Sequence, residues 1–283
     1  MISTAYDMLQ LLRDNIGETT ASHWSDLNLL RRLNQAYYET ARLISMSPGQ
    51  WLVKSTTVTP VSSVITLPDD CSKPVYLETS DGQPINWLNS VGQRRVSRSF
   101  GAGLHSDSVR EAYPLLNTVE VNEDGFGETC VLWYQKRIVE LQAGTASAGD
   151  TASLTFQASM RAKQLADYYN ETKIEVVDGT APGTEVGLYT ISDYSSAGVC
   201  TLDGGTFDTT AVYGTIPITP EECNDYMILR ATILGMSKPS ANLDEKVFQM
   251  FASDFRDAKR DLNAWIENRI IENTGVTIGE PYL

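Results

Sequence analysis

The sequence has few of the residues from which catalytic and metal sites are built. It contains only two histidines, His23 and His105, which lie far apart, and neither has a nucleophile motif beside it. No Walker-type, dinucleotide-binding or G-x-S-x-G pattern occurs. The four cysteines form no CxxC or CxxxxC pair, which argues against a zinc site: Cys71, Cys130, Cys200 and Cys223. We therefore expect a protein without enzymatic activity, cofactor or metal.

Signals for export and for membrane insertion are also missing. The N-terminal residues, M-I-S-T-A-Y-D, have neither the basic region nor the apolar region of a signal peptide. The longest apolar run, residues 226–236, contains Arg230 and is too short to span a bilayer. In a long chain without an export signal, we expect the cysteines to be inert and mostly buried thiols. The sequence thus predicts a protein made and kept in a reducing cytoplasm, with no membrane partner.

Positive charge is scarce. The chain has 22 Lys and Arg against 36 Asp and Glu, a net charge of -14. Such a surface repels phosphate backbones, which excludes tight or sequence-specific nucleic-acid binding but suits a surface that DNA slides past. Arg94, Arg95 and Arg98 are the one compact basic group outside a helix of mixed charge. They can contact DNA phosphates or pair with acids across a subunit boundary, and the acidity of the chain favours the boundary.

Helical periodicity marks the N-terminal end of the chain. Thr4 is expected to cap a helix that has Asp7 in its first turn and Gly17 after its end. Ser25 is expected to begin a second helix, with one face lined by Leu29, Leu30, Leu33, Ala36, Tyr37 and Ile44. Both helices are therefore predicted to bury one side.

The C-terminal end has two further helical patterns and a tail. Thr219 and Glu222 resemble a capping box for a helix running to about Met236, which is apolar nearly all round and so expected to be buried. Asn242 is expected to open a last helix. From about Asn268 the pattern predicts an extended tail with five apolar side chains that can dock on a partner: Ile270, Ile271, Val276, Ile278 and Tyr282.

The middle of the chain is mostly strand-like. Alternation predicts strands near residues 51–59, 64–67, 73–78, 119–121 and 129–136, the last two paired with each other. A short basic helix is predicted at 87–100 and a linker at 143–150. A central helix is predicted because five residues recur at helical spacing: Leu154, Ala158, Ala162, Leu165 and Tyr169. Short strands between turn residues follow up to Pro217.

These patterns predict an α+β fold. Its core would be a discontinuous helical bundle built from N-terminal, central and C-terminal helices, with inserted β-rich segments. The bundle would comprise residues 1–50, 151–173 and 218–283, including the extended tail. Residues 51–142 would form a β-rich segment with a short helix, and residues 174–217 an inserted small β-module.

Several motifs resemble the head–tail adaptor, or connector, proteins of tailed bacteriophages. They are W-S-D-L-N-L-L-R-R-L-N-Q-A-Y at 24–37, I-T-L-P-D-D at 65–70, V-Y-L-E-T-S-D-G-Q-P-I at 75–85 and V-L-W-Y-Q-K-R at 131–137. The stretch 168–217 resembles a small β-module of phage virion proteins, beginning with Y-Y-N and I-E-V-V-D-G-T-A-P-G and closing with Y-G-T-I-P. The resemblance depends on the order of these motifs along most of the chain.

The resemblance implies a structural role in the virion neck. Proteins of this family form a ring of about twelve subunits beneath the portal, a closed cyclic assembly through which double-stranded DNA passes without specific binding. It implies a portal protein and a tail or nozzle/stopper protein as partners, with the C-terminal tail docking on the portal. Assembly would take place in the cytoplasm of the bacterial host.

Two other functions remain open from the sequence. The chain can be another neck or tail component, such as a tail terminator, that uses the same β-module. It can also be a glycan-binding β-protein on the virion surface, since aromatic residues lie on its predicted strands. A glycosidase is disfavoured, because no pair of carboxylates is singled out by the sequence.

Overall fold

The computed structural model describes residues 4–18, 24–46, 51–88, 110–122, 125–179, 184–236 and 245–274. The chain divides into two compact units. The helix–sheet unit comprises Met1–Trp51 and Ile138–Leu283, and the β unit comprises Leu52–Arg137. Each unit has its own core, and each is described separately below.

The two N-terminal helices form as their sequences predict. Helix α1 spans Ala5–Asn15 and begins with a complete capping box, in which Thr4 and Asp7 satisfy each other's backbone N–H groups. Helix α2 spans Asp26–Ser45, and the Ser25 side chain caps its first turn. The predicted apolar faces of both helices are buried. Local capping and periodicity are therefore sufficient to specify these two elements.

The C-terminal helices differ from the prediction at their ends. Helix α3 spans Asn224–Met236, preceded by a 3₁₀ turn at Glu221–Cys223. The predicted capping box is wrong, because the Thr219 hydroxyl is buried and points at the Met227 sulfur, 3.9 Å away, instead of bonding the first turn. Helix α4 spans Glu245–Thr274. The extended tail predicted from about Asn268 is thus wrong as far as Thr274, since the helix continues.

The described residues of the β unit form seven strands in two sheets. The strands are β1 Val53–Val58, β2 Val64–Thr66, β3 Cys71–Thr79, β4 Asn86–Trp87, β5 Glu111–Leu115, β6 Thr118–Val121 and β7 Cys130–Lys136. One sheet has the order β1-β7-β3 and the other β2-β6-β5-β4. The predicted strands are present, but the predicted pairing of β6 with β7 is wrong, because β7 lies between β1 and β3. The basic helix predicted at 87–100 lies outside the described residues beyond Leu88.

The helix–sheet unit contains a six-stranded antiparallel sheet. Its strands are β8 Ala143–Thr145, β9 Ala148–Thr155, β10 Lys173–Asp178, β11 Gly187–Tyr194, β12 Val199–Thr206 and β13 Val212–Thr215. They lie in the order β8-β13-β10-β11-β12-β9. The linker predicted at 143–150 is wrong, because these residues form β8 and the start of β9. The strands predicted within 174–217 are present, but β8 and β9 extend their sheet on both edges.

The predicted central helix is wrong. Leu154 lies in strand β9, which pairs with β12. A single 3₁₀ turn follows at Ala158–Met160, and the chain then takes left-handed backbone conformations at Arg161, Asp167 and Glu171, which an α-helix excludes. Tyr169 is buried, but in the aromatic core of the sheet, where its ring meets the edge of Phe156 at 5.2 Å. The helical spacing of these apolar residues was coincidental.

The predicted fold class is therefore corrected. The described residues form three sheets and four α-helices, with 34% of them in strands and 33% in helices. A helix-dominated bundle with inserted β-segments is not what the chain forms. The bundle prediction failed because it assigned residues 151–173 to a helix, whereas non-local strand pairing makes β9 an edge of the sheet.

The helix–sheet unit contains two hydrophobic clusters, one around the helices and one within the sheet. The cluster around α1, α2 and α3 includes Leu141, Ala143 and Met160 from the segments that border the sheet. Helix α1 lies directly against β13: a Cβ on Gly214 would stand 2.6 Å from the backbone nitrogen of Tyr6. Such an approach is open only to glycine. The sheet is thus packed against the helices as part of their unit.

Polar side chains of α2 hold its neighbours in place. The Asp26 carboxylate accepts from Nε of the buried Arg13 in α1 at 2.9 Å. The Asn34 amide bonds both backbone groups of Leu141, accepting its N–H at 2.7 Å and donating to its carbonyl at 3.0 Å. The Tyr37 hydroxyl accepts from the N–H of Ile218 at 3.1 Å. Helix α2 therefore anchors α1, the entry to the sheet and the exit from it.

The Asn34 contact predicts a specific loss of stability. Asn34→Ala would leave a backbone N–H and a carbonyl of Leu141 without their partner, at a cost of about 1–3 kcal/mol in the free energy of unfolding. The neighbouring Gln35 has an exposed amide, so Gln35→Ala should change this free energy by less than about 0.5 kcal/mol. Denaturant titrations followed by circular dichroism measure both. Equal effects of the two substitutions would contradict the anchoring role of Asn34.

Candidate functional site

The residues predicted to dock on partners are only partly described. Arg94, Arg95 and Arg98 lie outside the described residues. Ile270 and Ile271 lie in the last turns of helix α4, so their backbone is helical and not part of an extended tail. The other three predicted docking residues, Val276, Ile278 and Tyr282, lie outside the described residues, as do His23 and His105.

The cysteines are not arranged for nucleophilic chemistry. All four are free thiols; Cys130, Cys200 and Cys223 are buried and Cys71 is partly buried, as the sequence predicts. Burial and the neighbouring Asp70 carboxylate raise the pKa of the Cys71 thiol to about 11. Burial likewise raises the pKa of Cys130 to about 11. Because the thiolate is the reactive form, these thiols are inert near neutral pH.

Metal-binding and membrane-spanning features were sought in the described residues. No group of three or more His, Cys, Asp and Glu side chains there has the geometry to hold a metal ion. Within the described ranges, no helix combines the length and the apolarity needed to cross a bilayer.

Helix α4 is anchored along only part of its length. Its 30 residues extend over about 45 Å. Leu262 is buried, Trp265 stacks on Trp51 with ring centroids 4.7 Å apart, and Phe255 packs on Tyr226 at 5.0 Å. Nearer its start, Val247 is 37% exposed and Met250 is 52% exposed. The helix therefore presents apolar surface that the described residues of its own chain do not cover.

Arg230 of α3 contacts both α2 and α4. Nε of Arg230 lies 2.7 Å from a carboxylate oxygen of Glu39 in α2. The same guanidinium lies over the Phe255 ring of α4, 5.7 Å from its centroid. The hydrogen bond to Glu39 raises the pKa of Arg230, which therefore stays charged. One side chain thus links three helices.

A groove with an apolar floor and an acidic rim lies between α1, α3 and α4. Its volume is about 690 Å³. Leu11, Leu229 and Trp265 belong to its floor, and Leu11 is 46% exposed. Carboxylates line its rim: Glu222, Asp225, Asp254, Asp257 and Asp261. The groove, hereafter the acidic groove, can accept an elongated apolar segment that carries positive charge.

Part of the acidic rim is not neutralised by the chain itself. Arg260 lies 3.2 Å from Asp257 and 3.5 Å from Asp261. Among the described residues, no cation lies within ion-pairing distance of Glu222, Asp225 or Asp254, so these three carboxylates face water. They are suited to pair with cations from another molecule.

The sequence contains a signal for this rim that the prediction did not use. Asp254, Asp257 and Asp261 are exposed, and their spacing of three and four residues places them on one stripe of α4. Their convergence with Glu222 and Asp225 depends on how α3 packs against α4. Periodicity along one helix does not reveal that packing.

A second cleft, of about 560 Å³, lies beside α2. The Lys163 ammonium lies 3.1 Å from Glu140, and this hydrogen bond raises the pKa of Lys163. Gln142 is buried and donates from Nε2 to the Tyr169 hydroxyl at 3.1 Å. A lysine kept charged is a poor nucleophile. Lys163 is therefore not activated as a nucleophile in this cleft.

Comparison with known proteins does not place the chain in a family. No protein-family model matches the sequence. A search of curated proteins finds no match either. The function is therefore inferred from the residues and their geometry, and from the resemblance of the motifs.

The raised thiol pKa predicts how labelling depends on pH. With a pKa of about 11, Cys71 is thiolate in roughly one molecule in three thousand at pH 7.5, so its alkylation by iodoacetamide should be slow. The rate should rise about tenfold per pH unit between pH 7.5 and 9.5, because the thiolate population does. Peptide mass spectrometry should find Cys71 modified before the three buried cysteines. Fast, pH-independent labelling would contradict the inert assignment.

The partial anchoring of α4 predicts unequal effects of two truncations. Leu262→Ala removes a buried side chain and should lower the free energy of unfolding by about 2–4 kcal/mol. Met250→Ala on the open part of the helix should change it by less than about 0.5 kcal/mol. Both are measured by chemical denaturation of dilute protein. A comparable loss in Met250→Ala would show that this part of α4 is packed within the isolated chain.

Proposed function

We propose that this chain is a virion structural protein, a head–tail adaptor that forms a ring between the portal and the tail of a bacteriophage. The observation that carries the proposal is helix α4, a long helix held at a few points and open elsewhere. Val247 and Met250, near the start of α4, are 37% and 52% exposed, and a partner that covered them would remove apolar surface from water. An adaptor needs such faces, because each copy contacts two neighbours and two other ring proteins.

One of the motifs that carry the resemblance contains residues with identified structural contacts. In the motif at 24–37, Trp24 is buried, Asp26 binds Arg13, Asn34 binds Leu141 and Tyr37 binds Ile218. These residues therefore join α2 to α1 and to the segments that border the sheet. That joint is compatible with the proposed family and supports the proposal at the level of architecture.

The charge of the chain supports passage of DNA. Each copy carries a net charge of -14, and a closed ring multiplies this by its number of subunits. The resulting field disfavours adhesion of the phosphate backbone to the ring wall. A portal protein above and a tail or nozzle/stopper protein below are the proposed partners, in the neck of the virion.

The proposal predicts assembly on portal rings. Purified chain, monomeric or weakly associated on its own, should co-sediment with isolated portal rings of the phage that encodes it. Removing residues 275–283 deletes Val276, Ile278 and Tyr282 and leaves every described helix intact. This truncated chain should keep its unfolding free energy and lose portal binding, because three of the five proposed docking side chains are gone.

A matched control replaces the same nine residues with a Gly/Ser sequence of equal length. The control should fail to bind, which separates side-chain docking from chain length. Normal binding by the truncated chain would show that the tail does not dock. Failure of the full-length chain to bind portal rings at all would overturn the adaptor function.

A further inference from the structure

We propose that the acidic groove of one copy receives the arginine segment, residues 89–100, of a second copy of this chain. The inference deepens the proposed ring function and relies on it only for the repetition of the contact around a closed assembly. The structure describes the groove, and the sequence supplies the occupant. The partner is thus a second copy of the same protein.

The groove is chemically suited to a basic segment with apolar residues. Its lining includes the half-exposed Leu11 and the Trp265 ring, and burial of such apolar surface favours association. Its rim has three carboxylates without a described cationic partner, namely Glu222, Asp225 and Asp254. A segment that brings both apolar side chains and cations would satisfy floor and rim together.

The arginine segment has this composition. Residues 82–106 contain three arginines and no Asp or Glu, in a chain whose net charge is -14. Apolar side chains alternate with the arginines, including Val91, Val96 and Phe100. Arginine is preferred in interfaces because its planar guanidinium binds carboxylates through two hydrogen bonds. Three arginines match the three carboxylates of the groove in number and in sign.

A contact of this kind fits a cyclic assembly. The groove and the arginine segment are different surfaces, so their pairing is heterologous, each copy giving one surface and receiving the other. When this contact is repeated around a closed ring, the groove of each copy receives the arginine segment of one neighbour. The paired charges also reduce the mutual repulsion of subunits that each carry a large negative charge.

Charge reversal in trans tests the pairing. One variant, the groove variant, carries Glu222→Lys, Asp225→Lys and Asp254→Lys; the other, the arginine variant, carries Arg94→Glu, Arg95→Glu and Arg98→Glu. Sedimentation velocity at low salt and high protein concentration measures self-association. Each variant alone should associate at least about tenfold more weakly than the wild type, because its groove and its segment then repel each other.

An equimolar mixture of the two variants should recover association. In the mixture, the positive groove of the groove variant can bind the negative segment of the arginine variant. The unchanged acidic groove of the arginine variant can bind the unchanged arginines of the groove variant. Added salt should weaken wild-type association, because it screens exposed charges over about 10 Å at 0.1 M. Unfolding curves test whether each variant stays folded; the three substitutions of the groove variant are at exposed positions.

The other outcomes overturn the proposal in distinguishable ways. If self-association recovered only in a chain that carries all six substitutions, the contact would lie within a single copy. Loss of DNA binding by the arginine variant, with self-association unchanged in both, would assign the arginines to phosphate. A wild type that stays monomeric under these conditions would also overturn it. None of these outcomes bears on portal binding, which the co-sedimentation of the full-length chain tests separately.

Discussion

The polar contacts of α2 are the constraint on which the helix–sheet unit depends. Asp26 binds α1, Asn34 binds the strand-like segment that enters the sheet, Tyr37 binds the segment that leaves it, and Glu39 binds α3 through Arg230. Apolar packing alone tolerates several arrangements of helices, whereas hydrogen bonds of this kind fail when geometry shifts by an ångström. The apolar face of the same helix supplies the core that these bonds align.

The polar contacts of α2 leave other surfaces of the helix–sheet unit available for assembly. Helix α4 contacts α3 and Trp51 but leaves Val247 and Met250 exposed, and the acidic groove opens between α4, α3 and α1. Neither feature is needed to complete the core. Apolar surface that a fold does not use is a usual mark of an interaction surface. A structural role in a larger particle accounts for both features without any catalytic group.

The two N-terminal helices were predictable because their signals are local. Capping by Thr4 and Ser25 and the buried stripes of α1 and α2 can be recognised within a few residues of sequence. The central sheet was not, because β9 is rich in Ala, Gly and Thr and becomes a strand only by pairing with β12, which lies more than forty residues later. Helical spacing from Leu154 to Tyr169 then suggested a helix that left-handed residues forbid. The acidic groove likewise depends on tertiary packing: the stripe on α4 was visible in the sequence, but its meeting with Glu222 and Asp225 was not.

The central claim is that this chain occupies the neck of a virion, and its location in the particle tests that most directly. Purified virions can be labelled with a gold-conjugated antibody against the chain and imaged by electron microscopy. The account predicts one cluster of label at the junction of head and tail, in every particle that has a tail. Label on fibres or on the head surface, or particles that lack the chain, would contradict it.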